Sequence, residues 1–459
     1  MEAKMNRVLF AAPSSSSGKT TVVCSLLQLL VNKKIPVAAF KCGPDYIDPL
    51  FHSRVIGAPC RNLDLFFTDE NMVNYLLYKN AQNSALAVLE GVMGYYDGLG
   101  GNTLTASAYH LAKATKTPVV LVVNARGMSL SIAAQVKGFL EYQPQSQIKA
   151  VLLNQVSPMV YPRLKAVIEE QLELPVVGYL PHNPEFALKS RHLGLVTAAE
   201  ISNLKETLEK MAAQAEKTID LSKIMDLAAQ APPLAFTPPA LPQKGEPVRL
   251  GVAMDKAFCF YYQDTLSLLG ELGAQLVPFS PLEDKALPLN LDGVYIGGGY
   301  PELYARELSA NSSFRRQLAQ AISQGMPCFG ECGGFMYLHQ QLTGQDGAEY
   351  PMVGAVEGTS FPTGRLQRFG YASLTAGEDT LLLPKGGCAP VHEFHYWDTT
   401  CPGASCQSQK HGQGKSWPCM VSQGRLFAGY PHFYFYSNPA MAQRFLNHCR
   451  NYKKEREQQ

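Results

Sequence analysis

Val8-Leu9-Phe10-Ala11-Ala12-Pro13-Ser14-Ser15-Ser16-Ser17-Gly18-Lys19-Thr20-Thr21 decides how the rest of this chain is read. An apolar run, Val8–Ala12, predicts a buried strand. A small-residue turn follows, and an amphipathic stretch around Thr21–Val31 predicts a helix. A polyphosphate needs several backbone N–H groups converging at a helix N-terminus, together with one flexible cation. Gly18-Lys19-Thr20 supplies the end of that design. Lys19 is expected on the β- and γ-phosphates and the Thr20 hydroxyl on Mg²⁺. Ser16, Ser17, Gly18 and Thr21 complete the ATP-binding set. Pro13 stands where such loops usually carry their first glycine, and four serines fill the loop. A serine-rich turn capping a helix is the competing reading. The strand before and the helix after are the context that a phosphate loop requires.

Working outward, short apolar runs at Pro36–Phe40, Leu86–Leu89, Val119–Val123 and Val151–Leu153 predict buried parallel strands. Helical stretches such as Ser129–Glu141 and Pro162–Leu172 separate them. The predicted fold class is α/β, a doubly wound parallel sheet. A polar, helix-prone stretch over 203–226 precedes the proline-dense Ala231–Pro242, which cannot continue a helix or a central strand. Alternation then resumes. Strands are predicted at Val248–Ala253, Leu276–Phe279, Gly293–Ile296 and Cys328–Gly330, and helices after Pro301, over Phe314–Gln324 and over Phe335–Gln341. The expected division is one α/β domain at 1–202, a linker at 203–246, a second α/β domain at 247–450 and a polar tail at 451–459.

The length of 459 residues calls for two or three domains. With 46% hydrophobic and 17% charged residues, a folded globular protein is expected. A net charge of +2 and the lack of a Lys/Arg-rich run argue against nucleic acid as a partner. No apolar run approaches bilayer length, so no membrane role is expected. The first residues lead into the strand and do not read as a secretory signal. Eleven scattered cysteines fit reduced thiols in the cytoplasm. Cys388, Cys401, Cys406 and Cys419, with His392, His395 and His411 nearby, lack C-x-x-C spacing and fall in a Gly/Ser/Gln-rich stretch read as loop, so zinc is not expected.

Two further constellations carry chemistry. A phosphate-bound Mg²⁺ needs carboxylates, and Asp45, Asp48 and Glu90 follow apolar strands at the sheet edge where α/β ligands bind. Downstream, Gly330-Glu331-Cys332-Gly333-Gly334 places a cysteine between strand and helix. A nucleophile on such a turn needs small neighbours, and the helix N-terminus is expected to lower its pKa. His432 is the expected base, with His392 and His395 competing. Gly297-Gly298-Gly299 is a second glycine turn; Gly298, Gly299 and Gly333 are the expected oxyanion donors. A buried structural thiol is the bland reading of Cys332, but it suits Cys24 or Cys328 better than a thiol among glycines.

Ser17–Thr21, Lys41–Asp48, Arg61–Asp64, Glu90–Gly98, Arg191–Leu195, Ala257–Tyr262, Gly297–Glu302 and Glu331–Leu338 together resemble the cobyrinate a,c-diamide synthase family, in family order over about residues 6–450. The resemblance implies an N-terminal domain similar to dethiobiotin synthetase and a C-terminal domain similar to a class I glutamine amidotransferase. It implies that Cys332 attacks the glutamine amide and releases ammonia. ATP would phosphorylate a carboxylate of cobyrinate, and ammonia would displace the phosphate, at the c- and then the a-acetate. Thr20, Asp45 and Glu90 match the family's Mg²⁺ positions. Tyr46, Asp48 and Asp97 fall in its substrate-facing loops, and Asn154 resembles an adenine-reading residue. The acidic third member of ordinary class I triads is missing after His432. Expected partners are a cobyrinate-type tetrapyrrole, glutamine and ATP; a homodimer is the assembly considered.

The chemistry agrees with the resemblance. A carboxylate resists ammonia until its oxygen is turned into a leaving group, and phosphorylation does that. The rival readings are the same diamidation on Ni-sirohydrochlorin or hydrogenobyrinate, a phosphate-loop switch ATPase carrying a glutaminase-like binding module, and a cysteine hydrolase with an accessory nucleotide domain.

Overall fold

The strand that begins at Arg7 is buried along its whole length, and it is the centre of the first sheet. The computed structural model describes residues 1–186, 198–412 and 414–458. It divides into two units, Met1–Pro239 and Ala240–Gln459. The Arg191–Leu195 motif lies outside the described residues.

In the first unit seven strands form one sheet in the order Cys60–Leu63, Val37–Cys42, Leu86–Glu90, Arg7–Ala11, Val119–Asn124, Ile148–Asn154, Val176–Leu180. Every neighbouring pair is parallel. Burial on both faces explains the unbroken apolar runs. Strand order reverses around Arg7–Ala11, so the crevice at its carboxyl end receives the phosphate loop. The helix Lys19–Asn32 packs Val22, Val23, Leu26, Leu27 and Leu30 into the core beneath the loop.

The stretch expected to be a linker from residue 203 belongs instead to this unit. The helices Ala198–Thr218 and Leu221–Ala229 bury Leu208, Met211, Ala215, Ile224 and Ala228 in its core. Leu234–Ala235 then pairs antiparallel with Glu2–Ala3. The buried Arg7 guanidinium donates to the carbonyls of Thr115 and Pro232 at 2.8 Å each. The prolines end the helices but leave carbonyls free to accept, so the segment is stitched down rather than loose.

The second unit has a six-stranded sheet in the order Ala274–Phe279, Val248–Ala253, Gly293–Ile296, Cys328–Glu331, Leu426–Gly429, Val421–Gln423. Only the last pair is antiparallel. A second sheet is built on the long strands Val356–Ala376 and Cys388–Thr399, which also pair with His339–Thr343 and His432–Phe433. The helix expected to run to Gln341 stops at Leu338, and His339 opens a strand. The Gly/Ser/Gln-rich stretch read as loop contains a hairpin, Cys406–Lys410 with Ser416–Cys419, in which Cys406 faces Cys419. The expected polar tail is the end of the helix Pro439–Gln458, held by Arg456 on Asp292 at 2.9 Å and by Glu455 on Arg425. Among the described residues no helix is long and apolar enough to cross a membrane.

Candidate active site

The phosphate loop leaves its strand through Ser16 and Gly18, with φ of 63° and 89°. Gly18 is required there: a Cβ would lie 2.0 Å from Asn154 Nδ2. That Asn154 amide donates to the Ser17 carbonyl at 3.0 Å. Asn154, expected to read adenine, holds the loop through this bond and is 4% exposed. Lys19 opens the helix, and its ammonium donates to the Met93 carbonyl at 2.5 Å. Burial, then the positive charge of Lys41, lowers its pKa to about 8. A phosphate oxygen at this position would be a stronger acceptor than the carbonyl.

Behind the loop lies a buried ion cluster. Thr20 Oγ1 donates to Glu90 Oε1 at 2.7 Å. Lys41 Nζ is 2.9 Å from the same oxygen, 2.7 Å from Asp48 Oδ2 and 3.9 Å from Asp45 Oδ2. His52 Nε2 sits 3.0 Å from Glu90 Oε2. Lys41 and Glu90 are register partners on adjacent parallel strands, which is why their side chains meet. Burial works against charge on Glu90, yet Lys41, His52 and Thr20 outweigh it and hold the carboxyl well below its usual range. Burial works against Lys41 too, but Glu90, Asp48 and Asp45 keep it protonated far above the usual lysine value. Asp45 is pushed up to about 6 by burial and then by Asp48.

The donor set suits a magnesium ion. Thr20 Oγ1 and Glu90 Oε1 are 2.7 Å apart. Two neighbouring oxygens of an octahedral Mg²⁺ are separated by about 2.9 Å. Asp45 Oδ1 is engaged by the N–H groups of Ile47 and Asp48, and Asp45 Oδ2 faces the cluster. Among the described residues no three His, Cys, Asp or Glu side chains converge to hold an ion by themselves. Magnesium commonly takes one or two carboxylates plus substrate phosphates. Asp48, expected to face substrate, is instead 4% exposed and bonded to Lys41. Tyr46 stands at the residue before the helix Ile47–Phe51 and is half-buried. Asp97 accepts from the Gly94 N–H at 2.8 Å, shaping the turn after Glu90, and lines an open cleft with Tyr96, Gln135, Phe139 and Tyr142.

In the second unit Cys332 has φ 48° and ψ −105°, a conformation that only its neighbours make tolerable. Its N–H is fixed on the Gly429 carbonyl at 2.8 Å. A Cβ on Gly334 would meet the Ile296 carbonyl oxygen at 2.0 Å, and one on Gly333 would meet Gly299 N at 2.9 Å. A Cβ on Gly298 would lie 2.7 Å from the His432 ring. Gly298, Gly299, Gly333, Cys332 and His432 therefore lie close together.

The expected lowering of the thiol pKa is reversed. Cys332 is 6% exposed, and burial, then the carboxyl of Glu302, pushes the thiol up despite the Gly333 N–H. A helix of six residues offers too little field to overcome desolvation. Burial, then His392 and His395, lowers His432 to about 3. Thiol and imidazole are both neutral here. The competing histidines lie in the same cluster. His392 is the cross-strand partner of His432. His395 bonds Glu393 at 3.1 Å and stacks on Tyr430 at 3.8 Å.

Four residues that residue-by-residue reasoning left without a role stand in these sites: Lys41, His52, Glu331 and Glu393. Lys41 could have been singled out, as a lysine inside the apolar run Val37–Cys42.

Residues 8–196 match the CobQ/CobB/MinD/ParA nucleotide binding domain, and residues 249–440 match the CobB/CobQ-like glutamine amidotransferase domain. The cobyrinate a,c-diamide synthase of Listeria innocua is 40% identical over 444 residues, covering 95% of this chain and 98% of that one. Those of Caldanaerobacter subterraneus and Limosilactobacillus reuteri are each 39% identical, over 97% and 96% of this chain and 98% of theirs. The chain belongs to the cobyrinate a,c-diamide synthase family. It joins the two domains in one polypeptide, and it is a glutamine-dependent carbon–nitrogen ligase. The first unit is the nucleotide-binding domain and the second the amidotransferase.

Proposed function

We propose that this enzyme amidates the c- and a-acetate carboxylates of cobyrinate, using ATP and glutamine. One observation carries the reading: the strained Cys332 turn, with His432 and the glycine donors around it, lies in the same chain as an intact Lys19–Thr20–Glu90 phosphate site. Such a chain can release nitrogen and activate the carbon that receives it.

In the amidotransferase unit, glutamine's side-chain amide takes the Cys332 thiol as nucleophile while His432 accepts the proton. Neutral partners lose one proton and gain one within the pair, so the buried site never holds a lone charge. The glycine N–H groups of 298, 299 and 333 stabilise the oxyanion. His432 returns the proton to the leaving nitrogen, ammonia departs, and water hydrolyses the thioester. In the nucleotide-binding unit Lys19 and the loop N–H groups hold the ATP phosphates. Thr20, Glu90 and Asp45 would hold Mg²⁺, which neutralises phosphate charge when bound. The substrate carboxylate attacks the γ-phosphorus, ADP leaves, and ammonia displaces phosphate from the acyl phosphate to give the amide. Asp97 and Tyr46 are the side chains offered to the substrate.

Mass spectrometry of the product formed from cobyrinate, ATP, Mg²⁺ and glutamine tests this. The expected result is two successive exchanges of hydroxyl for amino. Turnover of Ni-sirohydrochlorin with cobyrinate left unchanged would overturn the substrate, and turnover without ATP would overturn the mechanism.

A further inference from the structure

Phe433-Tyr434, directly after His432, offer no acid to steady it, yet a buried carboxyl reaches the histidine's strand from the other side. Glu331 immediately precedes the nucleophile and is 1% exposed. Its Oε1 accepts the Phe433 N–H at 2.7 Å, and its Oε2 accepts the Tyr295 hydroxyl at 2.6 Å. Its own strand pairs with Leu426–Gly429, the strand that leads to His432. The Cys332 N–H bonds Gly429 at 2.8 Å. The turn and the histidine strand are thus tied at two points, Cys332 to Gly429 and Glu331 to Phe433, on either side of Tyr430–His432. Only the second tie lies beyond the histidine.

We propose that Glu331 is a positioning residue of the thiol–imidazole pair: by holding the Phe433 amide it fixes His432 against the Cys332 turn. It thereby does through the backbone what a triad acid does through the imidazole ring. The proposal rests on the reading of Cys332 as nucleophile and His432 as its base.

Three further observations support it. The other buried acid of the cluster, Glu393, is occupied by His395 at 3.1 Å and Trp417 at 3.0 Å. Burial pushes the Glu331 carboxyl up to about 8, against its bonds from Tyr295 and Phe433. A proton is thereby favoured on it over an anion beside the thiol, where a carboxylate would oppose thiolate formation. The titratable groups that interact with it, Tyr295, Tyr261 and Cys332, are all raised too.

The test compares Glu331→Gln, Glu331→Ala and Cys332→Ala in the full chain. Three quantities are read: kcat and KM for glutamine hydrolysis, amide synthesis from added ammonium, and iodoacetamide alkylation of the Cys332 peptide by mass spectrometry. Glutamine at 331 still accepts from Phe433 N–H, so Glu331→Gln is expected to keep the parental kcat. Glu331→Ala releases the strand and is expected to lose on the order of 100-fold in glutaminase kcat. Its KM for glutamine and its ammonium-dependent synthesis should stay parental, and its Cys332 should alkylate more slowly. Parental kcat in Glu331→Ala overturns the proposal, and so does an equal loss in both Glu331 variants. Should Glu331→Ala also lose ammonium-dependent synthesis, Glu331→Gln decides: parental kcat upholds the proposal and a loss overturns it. Glutamine hydrolysis that survives in Cys332→Ala would instead overturn the underlying reading of the thiol.

Discussion

Lys41 Nζ lies 2.9 Å from Glu90 Oε1 and is almost wholly buried, a cation placed between the carboxylates behind the phosphate loop. Its charge is what lets Glu90 remain ionised without water. Removing one partner of a buried pair leaves the other charge uncompensated. Lys41→Ala should therefore destabilise the nucleotide-binding unit by about 3–5 kcal/mol. Urea unfolding of the full chain, followed with and without ATP, checks this; an unchanged midpoint would contradict it.

The Mg²⁺ requirement should follow Asp45 and Thr20 more than Asp48. Thr20→Ala and Asp45→Asn are expected to raise the Mg²⁺ concentration for half-maximal synthesis roughly 10–100-fold, the range in which lost metal contacts fall. Asp45 titrates near 6, above its unfolded value, and a protonated carboxyl cannot ligate. The apparent Mg²⁺ affinity should thus weaken as pH falls through 6, and that pH dependence should vanish in Asp45→Asn. Mg²⁺ titrations of synthesis at pH 5.5 and 7.5 would show whether it does.

The two chemistries should separate by mutation. Cys332→Ala should lose glutamine-dependent synthesis and keep synthesis from ammonium salts. Lys19→Ala should lose synthesis with either donor, by on the order of 10²–10³ in kcat, the size of one phosphate- or oxyanion-stabilising contact. Product assays with glutamine and with ammonium chloride, run side by side, give the answer.

Stability of the amidotransferase unit should depend on pH from both sides. His432, His392 and His339 are depressed to about 3, 4 and 4 by burial. Below pH 6.5 the unfolded chain binds their protons and the folded one does not, so stability falls as pH drops toward 4. Glu331 runs the other way. Its folded pKa of about 8 exceeds the unfolded value near 4.5, so its contribution is full below 4.5 and is lost as pH rises through 8. Glu331→Gln removes that loss. The Tm of Glu331→Gln should gain on the parent's steadily between pH 5 and 8; a constant difference by scanning calorimetry would refute the assignment.

How much of this was legible in the chain varies with the kind of order involved. The strands at Val8–Ala12, Leu86–Leu89 and Val119–Val123 were readable because the middle of a strand buried on both faces is apolar. The phosphate loop was readable because its donors are contiguous. The fate of 203–235 was not, because proline density reports what a segment cannot form and says nothing of what its carbonyls will accept. The raised Cys332 pKa is hidden for a similar reason: a helix N-terminus is visible in sequence, and the burial that overrides it is not.

The sequence by itself determined two α/β units, the phosphate loop from Ser14 to Thr20, the turn at Cys332 between strand and helix, and the set of glycines that such turns need. These follow from local sterics and periodicity, which act over a few residues. Only the tertiary structure decided that Lys41 and His52 stand on Glu90, that Asn154 serves the loop, and that Glu331 reaches Phe433. Those pairs join residues up to 137 apart in the chain. What selects them is strand register and the cost of leaving a buried polar group unpartnered, and both exist only once the sheets have formed.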